Sequence, residues 1–251
     1  MTEEEKFAGH LKDLAQRSYQ DNIFTFTGFL GEGELSCLLN MKKELQYAGL
    51  RLFGGTQHAE RCIARFGNPD DLGYEQEFPI RCLRIEPLVQ KFAEELSHRD
   101  YLGAIMSLGI ERNLLGDIYI DGKTAYLFCL DHIADYLKQN LTQIRHTNIR
   151  ITETARLPEQ AGPKLKEVLV IAASSRIDAV ISGVYHLSRN QGQNLLSSGK
   201  VFINGKECEN RSASCSPGDR ISVRGYGKFI FDGVEGATGK GRSRIRVRIF
   251  C

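Results

Sequence analysis

The chain has 251 residues, 41% apolar and 25% charged, with no tryptophan, the balance of a folded globular protein of two or three modest domains. No apolar run approaches the roughly 18 residues needed to span a bilayer, and the acidic start MTEEEKF lacks the basic-then-apolar pattern of a secretory leader, so the sequence predicts a cytoplasmic protein without membrane contact. Seven cysteines, at 37, 62, 82, 129, 208, 215 and 251, never form a Cys-x-x-Cys pair, which argues for reduced, packed thiols over a disulfide framework or a zinc site.

The net charge of +2 conceals an asymmetry. Residues 174–251 carry 13 Lys+Arg against 6 Asp+Glu, a net of +7, while the remainder carries 20 against 25, a net of −5. Such a split suggests a basic, polyanion-binding module on an acidic body.

In chain order, Thr2 followed by Glu5 is a capping box ahead of apolar Phe7, Leu11 and Leu14, predicting a first helix. A second helix follows Gly33, with Leu35, Leu38, Leu39, Met41 and Leu45 on one face. Short strands at 50–53 and 62–66 flank the turn Gly54–Gly55. Gly28, Gly31 and Gly33 stand in the wrong order for a dinucleotide fingerprint and are read as a loop. The polar stretch 67–76 marks a boundary.

Next come a strand at 78–85, a long helical pattern interrupted at Ser97–His98, strands at 117–120 and 125–129 around the turn Asp121–Gly122, a helix at 131–140 and a strand at 148–153. The order βαββαβ is that of an RRM-like, or ferredoxin-like, plait. The paired aromatics by which many such plaits stack RNA bases are missing, since AYLFC offers one Tyr and one Phe in the wrong context. Two prolines and a glycine in 157–163 predict a linker, and 166–173 reads as a strand.

The most informative stretch follows. A helix at 176–185 carries Ile177, Val180, Ile181 and Val184 on its apolar face; Ser188 caps a second helix that Gly199 stops. A strand at 201–203 leads into Asn204–Gly205, a type I′ hairpin signal. Pro217–Gly218–Asp219 turns into a strand at 221–224. A helix N-terminus offers unpaired N–H groups and a positive dipole end to a phosphate. Arg189 lies in such a first turn, where a cation is disfavoured unless an anion arrives. Arg176, oriented by Asp178, repeats the arrangement, and Lys200 and Lys206 extend the positive surface.

Arg176-Ile-Asp178, Ser188-Arg189, Gly199-Lys-Val201, Asn204-Gly205-Lys206 and Gly218-Asp219-x-Ile221 together resemble the S4 RNA-binding module. Gly192 departs from the module's usual Ala, at an expected cost of about 0.5–1 kcal/mol of helix stability. Beyond the module stand Arg224-Gly-Tyr-Gly-Lys228-Phe and, upstream, Phe53-Gly-Gly-x-x-x-Ala-Glu-Arg61, His98-Arg-Asp, Leu108-Gly-Ile-x-Arg112 and Gly116-Asp-Ile118. The whole pattern is similar to the bacterial YlmH-type S4 proteins. That resemblance implies an N-terminal domain, a plait and an S4 module, association with the ribosome, a link to rescue of large subunits blocked by peptidyl-tRNA, and genes described as cell-division-associated.

The last strand adds a separate point. Arg242, Arg244, Arg246 and Arg248 alternate with Ser243, Ile245, Val247 and Ile249, which puts four guanidiniums on one face. They should repel one another unless an anion lies across them, and Arg matches phosphate best.

The sequence thus predicts an α+β chain in three parts. A small N-terminal α/β domain (1–76) and an RRM-like plait (77–157) precede a linker with leading strand (158–173), an S4 (αL) module (174–231) and a basic strand (232–251). The expected RNA-binding residues are Arg176, Asp178, Ser188, Arg189, Gln193, Lys200, Asn204, Lys206, Arg224, Lys228, Arg242, Arg244, Arg246 and Arg248. The expected partners are rRNA or tRNA on the large ribosomal subunit; an adaptor recruiting a protein through residues 1–160 is the alternative. No catalytic residue, metal or cofactor is predicted. His98-Arg99-Asp100 imitates a kinase triplet, but Ile105 stands where its Asn belongs, and the triplet is read as anchoring a helix. Motifs of pseudouridine synthases, aminoacyl-tRNA synthetases and methyltransferases are not visible.

Overall fold

The computed structural model describes residues 2–57, 59–155, 165–208, 210, 212–239 and 241–250; the linker expected at 157–163 lies outside them. The chain divides into two units, residues 1–162 and 163–251.

The first unit opens with α1 (Glu3–Asp21). Thr2 Oγ1 accepts the Glu5 N–H at 3.1 Å and the Glu5 carboxylate accepts the Thr2 N–H at 2.8 Å, while Glu3 and Glu4 also suit the positive helix end. There follow β1 (Thr25–Leu30), α2 (Glu32–Asn40), α3 (Lys42–Leu45), β2 (Arg51–Phe53), β3 (Cys62–Phe66) and α4 (Pro69–Leu72). The strands pair antiparallel in the order β1-β3-β2. Leu11, Ala15, Leu38, Leu45 and Phe66 bury the helices against this sheet. β1 was not foreseen. It makes the Gly28–Gly33 segment a strand–turn–helix instead of a loop, but Glu34 already occupies the helix end, its carboxylate accepting the Gly31 N–H at 2.7 Å.

The unit continues with β4 (Ile80–Pro87), α5 (His98–Met106), β5 (Leu115–Asp121), β6 (Thr124–Leu130), α6 (Asp131–Asn140), β7 (Gln143–Ile144) and β8 (Thr147–Thr154). Sheet order is β5-β6-β4-β8-β7, every neighbouring pair antiparallel. The helix expected before Ser97 is absent: residues 88–97 hold only a 3₁₀ turn at Gln90–Phe92. Lys123 Nζ donates to the Gln90 and Ala93 carbonyls at 3.0 and 2.7 Å, binding the segment in its extended course. α5 then starts cleanly because Asp100 accepts both the Ser97 N–H (2.8 Å) and its Oγ (2.7 Å).

Helices α5 and α6 cover one face of this sheet through Tyr101, Ile105, Ile133 and Leu137. The opposite face is covered too. Tyr119, Tyr126, Phe128 and Leu130 are buried there against Phe29 and Ile63 of the N-terminal sheet. Two glycines permit the approach: a Cβ on Gly116 would lie 2.6 Å from the Phe29 ring, and one on Gly55 (φ +94°) 2.2 Å from Phe128.

A polar clamp locks the two sheets together. Arg61 donates to the carbonyls of Leu115 (2.9 Å), Phe29 (2.7 Å) and Arg112 (3.1 Å). Arg112 donates to those of Leu115 and Gly116 at 2.9 and 3.2 Å. Asp117 accepts the Glu60 N–H (2.6 Å), the Arg61 N–H (3.2 Å) and the Tyr119 hydroxyl (3.0 Å). Burial, and secondarily Arg61, pulls Arg112 down to about 10, so it stays charged at neutral pH. Elsewhere Arg65, 1% exposed, lies 4.6 Å from the centre of the Phe24 ring and 5.3 Å from that of Phe78 and donates to Glu75 at 2.6 Å.

The second unit comprises β9 (Leu165–Ala172), α7 (Ile177–Val184), α8 (Arg189–Ser197), β10 (Val201–Ile203), β11 (Lys206–Glu207), β12 (Arg220–Val223), β13 (Gly227–Ala237) and β14 (Ser243–Phe250). Its antiparallel sheet runs β11-β10-β12-β13-β14-β9. Ile177, Ile181, Leu195, Phe229, Ile245 and Val247 form the core between helices and sheet. β13 was not foreseen as a strand. It runs unbroken through residue 231, and β14 pairs along it and along β9.

Half-buried Arg61 and buried Arg65 should respond to replacement by different amounts. Arg61→Met strands the Phe29 and Arg112 carbonyls, leaves that of Leu115 to Arg112 alone, and should cost at least about 3 kcal/mol. Arg65→Met keeps the stack between aromatic rings and releases Glu75 and the Gln76 carbonyl, both on exposed residues, to water, so its cost should stay under about 1.5 kcal/mol. Urea unfolding of both variants checks the contrast; equal losses would refute it.

Candidate nucleic-acid interface

Two helices begin side by side in the second unit, and one carboxylate joins their starts. Arg176 is the N-cap residue of α7 and Ser188 that of α8. Ser188 Oγ accepts the Gln191 N–H at 3.3 Å and Gln191 Oε1 accepts the Ser188 N–H at 2.9 Å. Asp178, in the first turn of α7, is 1% exposed. Its carboxylate accepts Arg176 Nε and Nη2, both at 3.1 Å, the Ala179 N–H at 3.0 Å and Gln193 Nε2 at 3.4 Å. Arg189 Nε lies 3.9 Å away, its side chain 70% exposed. Burial pushes the Asp178 carboxyl up, but the bonds from Arg176 and Gln193 and the Arg176 charge outweigh it and hold the group below its usual range.

This corrects one premise. Arg189 is not an uncompensated cation at a helix end, because Asp178 supplies an anion from within. Two guanidiniums thus flank one carboxylate between two helix N-termini, with Arg189 facing solvent. Arg176, Asp178, Arg189 and Gln193 are therefore brought together, with Ser188 at the same helix start.

Gly192 has a reason specific to this packing. A Cβ there would meet Ser182 Oγ at 2.4 Å and the Asp178 carbonyl at 2.9 Å, so the glycine lets α8 lie against the turn that carries Asp178.

The remaining expected residues spread along the sheet. Lys200 and Lys206 are exposed, and the Lys200 carbonyl accepts the Arg224 N–H at 2.9 Å. Arg224 is exposed with its guanidinium 4.6 Å from the centre of the Phe202 ring. Lys228 pairs across from Ser222. Asn204 (φ +51°) is spent on the fold: its amide donates to Asp219 and its carbonyl oxygen accepts the Arg220 N–H, both at 2.9 Å.

The row of four mutually repelling arginines is also corrected. Arg248 is bidentate to Asp232 at 2.8–3.1 Å, and Arg246 pairs with Glu235; both acids lie on β13. Arg242 falls outside β14, its N–H bonded to Thr238 Oγ1 at 3.1 Å. Among the described residues, Arg244 has no carboxylate partner. Its neighbours across the register are Gly236 and Ile171.

In the first unit the aromatics of β5 and β6 are core residues and present no stacking surface. The uncovered part of that sheet, on β4 and β8, carries Arg84 and Arg150, each 2.7 Å from Glu86. These were not singled out from the sequence; the alternation in RCLRIEP and NIRIT was the signal available. Among the described residues, no helix is long and apolar enough to cross a membrane. Nor does any group of three or more His, Cys, Asp or Glu among them gather to hold a metal ion.

Residues 74–157 match a family model described as "Putative RNA-binding domain in YlmH". Over 241 residues, 93% of this chain and 89% of the other, the sequence is 31% identical to ribosome-associated protein quality control protein P2 of Bacillus subtilis (strain 168). The chain belongs to the YlmH family. A solved structure, the cell division protein ylmH from Streptococcus pneumoniae, aligns with TM-score 0.48 and 19% identity over 61% of this chain and 92% of that one. Several motif residues on which the YlmH resemblance rested, Glu60, Arg61, Arg112, Gly116 and Asp117, meet in the clamp between the two sheets.

Two measurements test the Asp178 site. Because its pKa is depressed on folding, its stabilisation is present above the unfolded value of about 4 and is lost as pH falls through the folded value. The stability gap between wild type and Asp178→Asn should therefore be full at pH 7 and shrink steadily below about pH 4; a gap independent of pH would contradict the ionic role. Gly192→Ala should destabilise by about 1–3 kcal/mol through the clash, the reverse of its helix-propensity effect, and Ser182→Ala should recover part of the loss. A thermal-melt series that finds Gly192→Ala stabilising would overturn the close-approach account.

Proposed function

We propose that this YlmH-family protein is a non-catalytic, cytoplasmic RNA-binding protein acting on the ribosome. In this reading the C-terminal unit serves as an S4-type module that grips rRNA or tRNA phosphates on the large subunit, beside a stalled peptidyl-tRNA. The observation that carries it is the pair of helix N-termini joined through Asp178, with Arg189 exposed between them. Such a site gives a phosphate two dipole ends and an exposed guanidinium. The net charge of +7 over 174–251 supplies the long-range attraction. The description of the matched domain as RNA-binding and the ribosome-associated name of the Bacillus relative favour the same partner.

The first unit, read as an RRM-like plait with a companion sheet, would add shape and a second contact through Arg84 and Arg150. Its titratable cluster of Asp117, Arg61 and Arg112 is bonded within the fold, which favours a clamp over an active centre.

The direct test is sedimentation of cell extract through sucrose at two salt concentrations. Co-migration with the large subunit at low salt, lost at high salt, is expected; presence only at the top of the gradient at low salt would sink the ribosomal reading. With purified RNA, Arg189→Gln combined with Lys206→Gln should weaken binding at least about tenfold and flatten the log–log salt slope by about 1.4–1.8. Arg244→Ala should lower the slope by nearly one phosphate contact, whereas Arg248→Ala, which strands Asp232, should act chiefly on stability. Equal salt slopes for those two variants would show that the strand-to-strand pairing does not matter.

A further inference from the structure

The turn between β12 and β13, Arg224-Gly-Tyr-Gly-Lys228, has no role in the reading above beyond its charge. Its centre is an exposed aromatic: Tyr226 is 47% accessible, held by its N–H to the Val223 carbonyl at 3.0 Å. Gly225 (φ +87°) and Gly227 (φ +127°) on either side adopt the left-handed backbone that lets the turn present this ring.

The ring is backed by others. Tyr185, at the end of α7, lies 5.4 Å from Tyr226 centroid to centroid with planes at 49°, and Phe229 lies 6.0 Å behind Tyr185 at 69°. The Tyr185 hydroxyl is buried and finds no hydrogen-bond partner among the described residues. An unpaired buried hydroxyl is costly and invites a partner. Gly227 lies beside it, since a Cβ there would stand 3.8 Å from that oxygen, in ordinary van der Waals contact. Beside the turn, the Arg224 plane over Phe202 is a second flat cationic surface, and Lys200 is joined to it through the backbone.

An exposed tyrosine at a hairpin tip, stiffened from behind by two rings and flanked by cations, is poorly explained by packing. It matches what proteins use to hold an unstacked base: an aromatic or guanidinium plane for the base and positive charge for its phosphates. A base inside a duplex is already stacked on both sides and cannot offer its face to such a ring.

We propose that Tyr226 is a stacking platform for an unpaired nucleobase, with Arg224 and Lys200 on the adjoining phosphates. The RNA bound by the C-terminal unit then has a bulged or single-stranded nucleotide at this edge. This deepens the RNA-binding reading of the previous subsection and rests on it.

The test uses the full-length protein and two labelled RNA hairpins at one salt concentration, identical except that one carries a single bulged adenosine. Tyr226→Ala should weaken binding to the bulged hairpin roughly 5- to 150-fold and leave the fully paired hairpin bound as by wild type. Because the chain has no tryptophan, Tyr226→Trp places one reporter at the platform. It should keep wild-type affinity, and its emission should be quenched by the bulged hairpin and not by the paired one. If wild type prefers neither hairpin and Tyr226→Ala binds both unchanged, RNA binding stands and the platform is refuted. Equal loss on both hairpins, or tryptophan emission unmoved at saturation, also refutes it. If wild type binds neither hairpin, the RNA-binding reading itself falls.

Discussion

The basic end of the C-terminal unit depends on a carboxylate that water scarcely reaches. Burying an ionised Asp costs several kcal/mol unless the charge is matched and its oxygens are satisfied. Asp178 meets that condition with a bidentate Arg176, a backbone N–H and Gln193, and it keeps Arg189 within ion-pair range. The consequence is geometric as much as energetic. Two helix starts, separated in sequence by the whole of α7, are tied to one point, and the guanidiniums around it are oriented before any ligand arrives. Preorganisation of this kind lowers the entropy cost of binding. Gly192 belongs to the same device, since a side chain there would hold α8 away from the turn that carries the carboxylate.

How much of this was legible in the sequence follows from the range of each interaction. Local signals sufficed where the physics is local. The Thr2–Glu5 box starts α1, Ser188 caps α8, Asn204 and Gly205 take positive φ at a hairpin, and 131–140 is a helix over its stated span. β13 escaped because Gly233 and Gly236 break its alternation at the two positions where the register to β14 shifts. β1 escaped because Gly28 interrupts a short apolar run, and that glycine is there because Asn113 comes so near that a Cβ would lie 2.8 Å from its carbonyl oxygen. The apolar residues at 88, 89 and 92 mimic helical spacing, yet they are exposed, and Lys123 binds the segment from a distant hairpin. In the candidate site the residue types and the helix-start placement were readable, whereas the pairing of Arg246 and Arg248 with acids on a neighbouring strand depends on sheet register.

The two units use aromatic side chains in opposite ways. In the first, Tyr119, Tyr126 and Phe128 sit on the sheet face that an open plait would show to solvent, and the N-terminal sheet covers them. Their area is committed to the core, and the Arg61–Asp117 clamp makes separating the layers costly. The surface left on that sheet is charged, with Arg84 and Arg150 sharing Glu86. In the second unit the helices pack on the sheet through one shared core, and Tyr226 reaches solvent in the turn between β12 and β13.

Internal pairing also changes how the positive charge of the C-terminal unit can act. A phosphate that meets Arg248 finds a cation already balanced by Asp232, so contact displaces few counterions, and the entropy of their release is what makes phosphate binding strong and salt-sensitive. The same holds for Arg246 beside Glu235. Arg still has further N–H groups to donate, so these residues can fix the orientation of a backbone without contributing much to its attraction. Under the proposed RNA-binding role, attraction would fall instead to Lys200, Lys206, Arg224 and Arg244, with Arg189, whose neighbour Asp178 is shared with Arg176. On that proposal steering and alignment would fall to different residues, and the sequence count of thirteen cations over residues 174–251 would overstate the number that drive binding.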